Sequence, residues 1–204
     1  MEINFSSQLL EDAVNELSKL PGIGKRTAMR LALHLLKQDT LYVQRLSGSL
    51  LKMREEIQFC EKCHNISEKN ICNICASPKR DANTICVVED IRDVLAIENT
   101  GQFTGLYHVL GGLISPMDGI SPSDLQLASL FSRIDKEEIK ELIFALAATV
   151  EGDTTNFYIY KKLKNYPLKM STLSRGVSIG DEIEYADEVT LGRSIIYRQP
   201  YEGA

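Results

Sequence analysis

Residues 60–75 read CEKCHNISEKNICNIC and hold two Cys-x-x-Cys pairs with eight residues between them. Each pair can present two thiolates from one tight turn, and the short loop between the pairs can bring both around one tetrahedral ion. Zinc fits this spacing best, and four thiolates without an open coordination position are typical of a structural site. A redox dithiol pair, an iron–sulfur cluster and coincidence are the alternatives. The sequence therefore predicts one structural zinc ion, with four predicted ligands: Cys60, Cys63, Cys72 and Cys75.

Length and composition describe a foldable chain. Its 204 residues are 44% hydrophobic and 25% charged, which excludes wholesale disorder. The longest apolar run, residues 142–148, is seven residues long, against the ~20 that a membrane-spanning helix needs. Residues 1–4 lack the pattern of a signal peptide. We therefore expect a cytoplasmic protein whose cysteines stay reduced. We also expect His64 to lie outside the metal site and Cys86 to be a small core residue.

The hydrophobic pattern changes class across the cysteines. Before them, apolar residues recur at helical spacing over residues 9–17 and 28–35, and Thr40 is placed to cap a third helix. After them, β-branched runs alternate with helical patterns, which is typical of βαβ units and a mostly parallel sheet. The predicted strands cover residues 84–88, 106–110 and 142–146. The predicted helices cover residues 91–97, a segment that starts at Ser121 and Pro122, and a segment that ends before Pro167.

The stretch between the first two predicted helices, residues 20–26, reads LPGIGKR. It lacks the glycine spacing of a Walker A loop and of a dinucleotide fingerprint. It matches a helix-hairpin-helix, in which two glycines let the backbone approach a phosphate and the next helix begins with free N–H groups. A packing element with solvated basic residues is the alternative. The pattern predicts sequence-nonspecific, salt-sensitive DNA binding through Gly22, Gly24, Lys25, Arg26 and Arg30.

The net charge of -5 is unusual for a protein that binds nucleic acid, but it is unevenly distributed. Residues 1–80 hold 12 Lys and Arg against 9 Asp and Glu, whereas residues 81–204 hold 11 against 19. The two parts therefore carry +3 and -8, and we expect them to have different partners.

Three acidic residues follow predicted strands. Glu89 comes directly after the first strand of the second half, and Glu151 and Asp153 come after the third. The carboxyl ends of parallel strands meet at one crevice, so these carboxylates can converge on one Mg²⁺ ion. Solvated loop acids are the alternative.

The order of these patterns resembles the bacterial RecR family of recombination proteins. The resemblance covers nearly the whole chain, and it departs from the family at Lys25, where Pro is common. In that family the α/β part is a toprim domain, the fold shared with topoisomerases and primases, and its acidic residues match Glu89, Glu151 and Asp153. The stretches that carry the resemblance are residues 20–24, 72–75, 85–89, 97–103, 115–120, 149–153 and 184–193.

The resemblance implies an α+β chain of several modules. These are a helix-hairpin-helix DNA-binding region at residues 1–54, a four-cysteine zinc finger at 55–80, an α/β toprim domain with a mostly parallel sheet at 81–177, and a C-terminal oligomerisation segment at 178–204.

The resemblance also implies a DNA-binding recombination mediator of DNA repair that is not an enzyme. Such proteins act with RecO and RecF to load recombinase on single-stranded gaps, and they assemble as ring-shaped homotetramers. The alternative function is a Mg²⁺-dependent phosphodiester enzyme, a nuclease or topoisomerase-like protein that uses the toprim carboxylates. A third interpretation makes the acidic face a docking surface for a basic partner.

Overall fold

The computed structural model describes residues 7–178, 180 and 182–200. The N-terminal pattern at residues 1–4 and the end of the predicted C-terminal segment, 201–204, lie outside the described residues. The chain forms two compact units that divide between Ile57 and Gln58. No helix in the described part is long and apolar enough to cross a membrane.

The first unit consists of three helices: α1 (Gln8–Ser18), α2 (Lys25–Leu36) and α3 (Thr40–Glu56). Helices α1 and α2 pack through a small core of Val14, Ala28 and Ala32. The two alanines leave room for close approach of the helices. Both helices lie where the hydrophobic periodicity predicts them.

Helix α3 begins as predicted, but its cap is a different residue. The carboxylate of Asp39 accepts a hydrogen bond of 2.6 Å from the Tyr42 amide, so Asp39 is the N-cap and Thr40 is the first helical residue. An aspartate fills this role well because its charge also favours the positive end of the helix dipole. Within the described part, α3 has no buried residue.

The second unit begins with the cysteine segment. Strands β1 (Gln58–Phe59) and β2 (Ile66–Ser67) pair antiparallel, and a single helical turn, α4 (Asn73–Ala76), follows. These elements are too short to enclose an apolar core, and their buried cluster consists mainly of the cysteines themselves.

The α/β body of the second unit has a four-stranded sheet with the order β4-β3-β5-β6, and all its strands are parallel. Its elements are β3 (Asp81–Val88), α5 (Ile91–Asn99), β4 (Gly105–Val109), α6 (Leu127–Lys136), β5 (Glu141–Ala145), α7 (Val150–Leu163), β6 (Lys169–Thr172) and α8 (Glu188–Ile196). The parallel α/β architecture is confirmed. Strand β6 is not predicted, because this edge strand is only partly buried and has no apolar run.

One predicted helix is wrong in its boundary. Ser121 and Pro122 start a short 3₁₀ turn, which a capping box between Ser121 and Asp124 closes, and α6 begins only at Leu127. Between them Leu125 has an extended backbone and a buried side chain. Burial of Leu125 in the core interrupts the helix that the capping signal favours.

The central strand β3 is buried on both faces of the sheet. Ile85 and Val87 contribute to the larger core together with residues of α6 and α7. Cys86 and Val88 contribute to the opposite core, beneath α5. The interpretation of Cys86 as a core residue is confirmed, and burial raises the pKa of its thiol to about 12.

A polar cluster fastens the start of β3 to α5 and β4. The Arg80 guanidinium binds both carboxylate oxygens of Glu98 and donates to the Phe103 carbonyl at 3.1 Å. The Tyr107 hydroxyl donates to the same carboxylate at 2.7 Å. Hydrogen bonds from Arg80 lower the pKa of Glu98, and the pair is largely shielded from water.

Replacement of Glu98 by glutamine is expected to destabilise the second unit by about 2 kcal/mol, because the Arg80 charge loses its partner. A carboxyl group with a lowered folded pKa stabilises the protein above its unfolded pKa and loses this effect as the pH falls through the folded value. Thermal unfolding at pH 7 and at acid pH should therefore show a difference between E98Q and the native chain that disappears in acid. The exposed control E138Q should change stability by less than about 0.5 kcal/mol at both pH values, and an equal loss in both variants would contradict the prediction.

Candidate zinc centre and DNA-binding hairpin

The four predicted zinc ligands lie together in the second unit. All sulfur atoms of Cys60, Cys63, Cys72 and Cys75 lie within 4.8 Å of one another, and the first three residues are buried. Zinc–sulfur bonds of about 2.3 Å in a tetrahedron place sulfur atoms roughly 3.8 Å apart. The sulfur atoms of Cys63 and Cys72 lie 3.6 Å apart, so the cluster fits a zinc ion.

Backbone hydrogen bonds shape both cysteine turns. The His64 amide donates to the Cys60 carbonyl at 2.9 Å, which closes the first turn. In the second turn the Cys75 amide donates to the Cys72 sulfur at 3.4 Å, and the Cys72 amide donates to the Cys60 sulfur at 3.3 Å. N–H groups that point at sulfur stabilise thiolates, which are the form that binds metal.

The cysteines also shift one another's pKa values. Hydrogen bonds from Cys63 and then Cys75 lower the pKa of Cys72 to about 2. The same contacts with Cys72 and Cys75, together with burial, raise the pKa of Cys63. Cys72 therefore ionises easily, whereas repulsion within the cluster opposes ionisation of Cys63. A divalent cation removes this repulsion and displaces the remaining protons.

Three contacts join the cysteine segment to the α/β body within the same unit. The Val109 amide at the end of β4 donates to the Cys63 carbonyl at 2.8 Å. The His64 ring forms a hydrogen bond of 2.8 Å with the Ser129 hydroxyl of α6, and Lys62 forms an ion pair of 3.2 Å with Glu137. His64 stands outside the cysteine group, as expected. Its docking contact with Ser129 has no signal in the sequence.

The predicted DNA-binding turn lies between α1 and α2. The Ile23 amide donates to the Leu20 carbonyl at 3.0 Å, and Gly22 at the third position of this turn has φ +77°. This conformation favours glycine, and Pro21 is a common residue at the second position of such a turn. Gly24 is extended and serves as the N-cap of α2 without a side-chain hydrogen bond.

The basic side chains of the hairpin are exposed at the start of α2. Lys25 and Arg26 are the first two residues of the helix, and Arg30 lies one turn further along. Because residues four apart share a helix face, the structure brings Arg26 and Arg30 to one side of α2. No acidic residue lies in the first turn to neutralise them.

The predicted acidic residues occupy two positions in the α/β body. Glu89 directly follows β3 and is half-buried; burial and the nearby Asp93 carboxylate raise its pKa. Glu151 and Asp153 lie in the first turn of α7. Among the described residues, the three carboxylates do not form a metal-binding group with oxygens within 4.8 Å of one another.

Asp153 has a partner that the sequence does not reveal. The Arg175 guanidinium donates to both of its carboxylate oxygens, at 2.8 and 3.4 Å. This ion pair lowers the pKa of Asp153. Arg175 lies 22 residues further along the chain, so no local spacing could have predicted the contact.

Comparison with known protein families accounts for each of these regions. Residues 10–54 match the helix-hairpin-helix of RecR, and residues 57–77 match the four-cysteine zinc finger domain of RecR. Residues 83–174 match the toprim domain, and residues 176–199 match the C-terminal region of RecR. The zinc-finger match and the geometry of the cysteine cluster together indicate one structural zinc ion per chain.

Relatives extend the similarity over the whole chain. The chain is 60% identical over 200 residues to the recombination protein RecR of Flavobacterium johnsoniae, covering 98% of this chain and 97% of that protein. It is 59% identical to the RecR of Bacteroides thetaiotaomicron, with 100% and 99% covered, and 55% identical to that of Porphyromonas gingivalis, with 97% and 95% covered. Identity at this level along the full length, with every region in the same order, confirms the predicted resemblance: the chain belongs to the RecR family.

Proposed function

We propose that this protein is a DNA-binding recombination mediator of DNA repair. The observation that carries the proposal is the exposed, basic start of α2 behind a glycine turn. Membership of the RecR family, whose relatives are named recombination proteins, supports the role in recombination. In this role it acts in the cytoplasm with RecO-like and RecF-like proteins to load recombinase on single-stranded gaps.

The hairpin holds DNA through its backbone phosphates. Gly22 and Gly24 leave the turn without side chains, so a phosphate can reach the first amides of α2. The positive end of the helix dipole faces the same place. Lys25, Arg26 and Arg30 add charge-assisted hydrogen bonds that depend on no base sequence.

The zinc ion binds to Cys60, Cys63, Cys72 and Cys75, and its role is structural. Four thiolates leave no open coordination position for a reaction. The ion fixes the first cysteine turn, from which Lys62, Cys63 and His64 contact the α/β body.

The mediator acts without catalysis, and the toprim acids serve as a partner contact or hold Mg²⁺ without reaction. The ion pair between Asp153 and Arg175 supports the absence of catalysis and the partner contact. A guanidinium beside a carboxylate opposes the binding of a second cation there.

The active form is a homotetramer built through the helical region and the C-terminal segment 178–204. Helix α3 supports this, because Leu41, Leu46, Leu50, Leu51 and Met53 are each 41–61% exposed. Helix α8 likewise exposes Val189 and Ile195. Apolar side chains concentrated on a helix surface are typical of association sites. Repetition of a weakly basic hairpin around an oligomer would raise its total affinity for DNA.

Replacement of Cys72 by serine is expected to abolish zinc binding and loosen the junction with the body. The bound zinc should fall from one ion per chain to none, and amide exchange at Val109 should accelerate because its acceptor, the Cys63 carbonyl, is no longer fixed. Elemental analysis and hydrogen exchange measure the two effects. C86A removes a cysteine outside the cluster and should retain zinc; loss of zinc in both variants, or in neither, would contradict the assignment.

The double variant R26E/R30E is expected to weaken binding of single- and double-stranded DNA by at least about a hundredfold, since two charge-assisted contacts are reversed. The slope of log K against log salt should fall by about 0.7 to 0.9 for each phosphate that is no longer neutralised. Fluorescence anisotropy at several salt concentrations measures both. The matched control K37E/R45E changes the charge of the same unit equally at exposed positions, and an equal loss in both would assign the effect to bulk charge.

Supercoiled plasmid DNA, incubated with the protein and Mg²⁺, is expected to remain intact and to keep its superhelical density. Cleavage or relaxation that disappears in E89Q would favour the phosphodiester enzyme over the mediator.

The double variant L46E/L50E is expected to reduce the oligomer mass. The two leucines lie four residues apart, on one face of α3, and a carboxylate buried in an apolar interface is strongly unfavourable. Sedimentation velocity at micromolar concentration measures the mass. Q44E/S49E alters exposed polar positions of the same helix and should leave the tetramer intact. A native chain that sediments as a monomer would overturn the tetramer.

A further inference from the structure

A cleft of about 970 Å³ lies in the second unit, between the α/β body and the C-terminal segment. Its walls include the end of β6, the loop that follows it and the last turn of α8. The volume suits a small organic molecule and is large enough for a nucleotide. None of the five predicted DNA-binding residues lines it.

The charge of the cleft is positive, in contrast to the acidic part of the chain that surrounds it. Arg175, Arg193 and Arg198 line the cleft against one acid, Asp153. Arg175 is engaged by Asp153. Arg193 forms no ion pair with any described residue, and Arg198 donates only to the Ile195 carbonyl, at 3.1 Å. Arg193 also lies near enough to Asp153 to help lower the pKa of that carboxyl, so three guanidinium groups share one carboxylate and the lining keeps an excess of two positive charges.

Backbone donors add to these charges. Ser174, Arg175 and Gly176 line the wall in succession, and their amides donate to no described acceptor. Gly176 carries no side chain beside them. The neighbouring Val177 amide is satisfied by the Ser194 hydroxyl at 3.1 Å, which anchors this loop to α8. Consecutive unpaired amides next to guanidinium groups are the donor set that binds phosphate.

We propose that this cleft binds the phosphate of a nucleotide, with Arg193 as the main charged contact and the 174–176 amides as backbone donors. Arg198 binds a second phosphate oxygen. The exposed ring of Tyr197, also in the lining, provides a surface on which a base stacks. The nucleotide is either free or part of a DNA strand; in the second case the inference rests on the proposed DNA binding and adds a second contact to it.

The effect of removing the Asp153 charge distinguishes this proposal from a purely structural role of the arginines. Its carboxylate competes with phosphate for Arg175 and repels an anion in the cleft. Removal of that negative charge should therefore strengthen phosphate binding, although it breaks an ion pair. A structural role predicts no gain in affinity from the same change.

The test uses the full-length zinc-loaded protein and isothermal titration with dTMP, and in parallel with an oligothymidylate strand. R193A is expected to weaken binding by about tenfold or more, as the loss of a charge-assisted hydrogen bond implies. R193K should restore part of the affinity, and D153N should increase it several-fold. K164A removes an exposed cation of the same unit and should have no effect.

The two arms and the hairpin variant separate the sources of the phosphate. Binding of dTMP that depends on Arg193 identifies a free-nucleotide site. Binding of the strand alone, still dependent on Arg193 in the R26E/R30E background, identifies a DNA contact. If R26E/R30E retains full DNA affinity, the proposed hairpin function fails while this inference stands. Equal affinities of R193A and K164A for both probes would overturn the inference. An altered sedimentation mass of R193A would also overturn it, because the cleft would then be a contact between subunits.

Discussion

The four-cysteine cluster is the constraint on which the second unit depends. The segment from β1 to α4 consists of two strands of two residues each and one helical turn, so it buries almost no apolar surface of its own. Metal–thiolate bonds replace the missing core. The first cysteine turn contacts the α/β body at two points. Its Cys63 carbonyl accepts a hydrogen bond from the Val109 amide at the end of β4, and its His64 ring forms a hydrogen bond with Ser129 of α6. The zinc ion therefore orders a small finger and also anchors one edge of the parallel sheet.

The distribution of charge bears on the proposed DNA binding by an acidic protein. Residues 1–80 carry a net charge of only +3, and a zinc ion on four thiolates adds -2 to it. The overall electrostatic attraction of this part to phosphates is therefore weak. In the proposed function, affinity comes from the placement of Lys25, Arg26 and Arg30 beside the open start of α2. The exposed apolar surface of α3 belongs to the same helical unit. Association through this surface would repeat the hairpin several times in one assembly, so that many weak contacts act together.

The sequence predicted most of the elements, because they follow local rules. The Cys-x-x-Cys spacing, the glycine turn and the β-branched runs each depend on residues a few positions apart, and the structure agrees with all three. The errors occur where tertiary packing overrides local signals. Ser121 and Pro122 cap a turn because Leu125 must enter the core, and β6 pairs with β5 although its own pattern is weak. At the site, the docking of His64 on Ser129 joins residues 65 positions apart. Such contacts have no expression in a single sequence.

The ion pair between Asp153 and Arg175 bears on metal binding at the toprim acids. Gly152, between Glu151 and Asp153, lies so close to the Ala147 carbonyl that a Cβ atom would stand 2.0 Å from its oxygen. This close approach fixes the first turn of α7 and with it the position of Asp153. The loop after β6 then brings Arg175 to that carboxylate, where a metal-dependent enzyme would need a free acidic ligand. The same loop lines the neighbouring cleft, together with Arg193 of α8 and Arg198 just after that helix. An arrangement that opposes a cation at Asp153 therefore favours an anion beside it, which agrees with the proposal that this protein holds nucleic acid without cutting it.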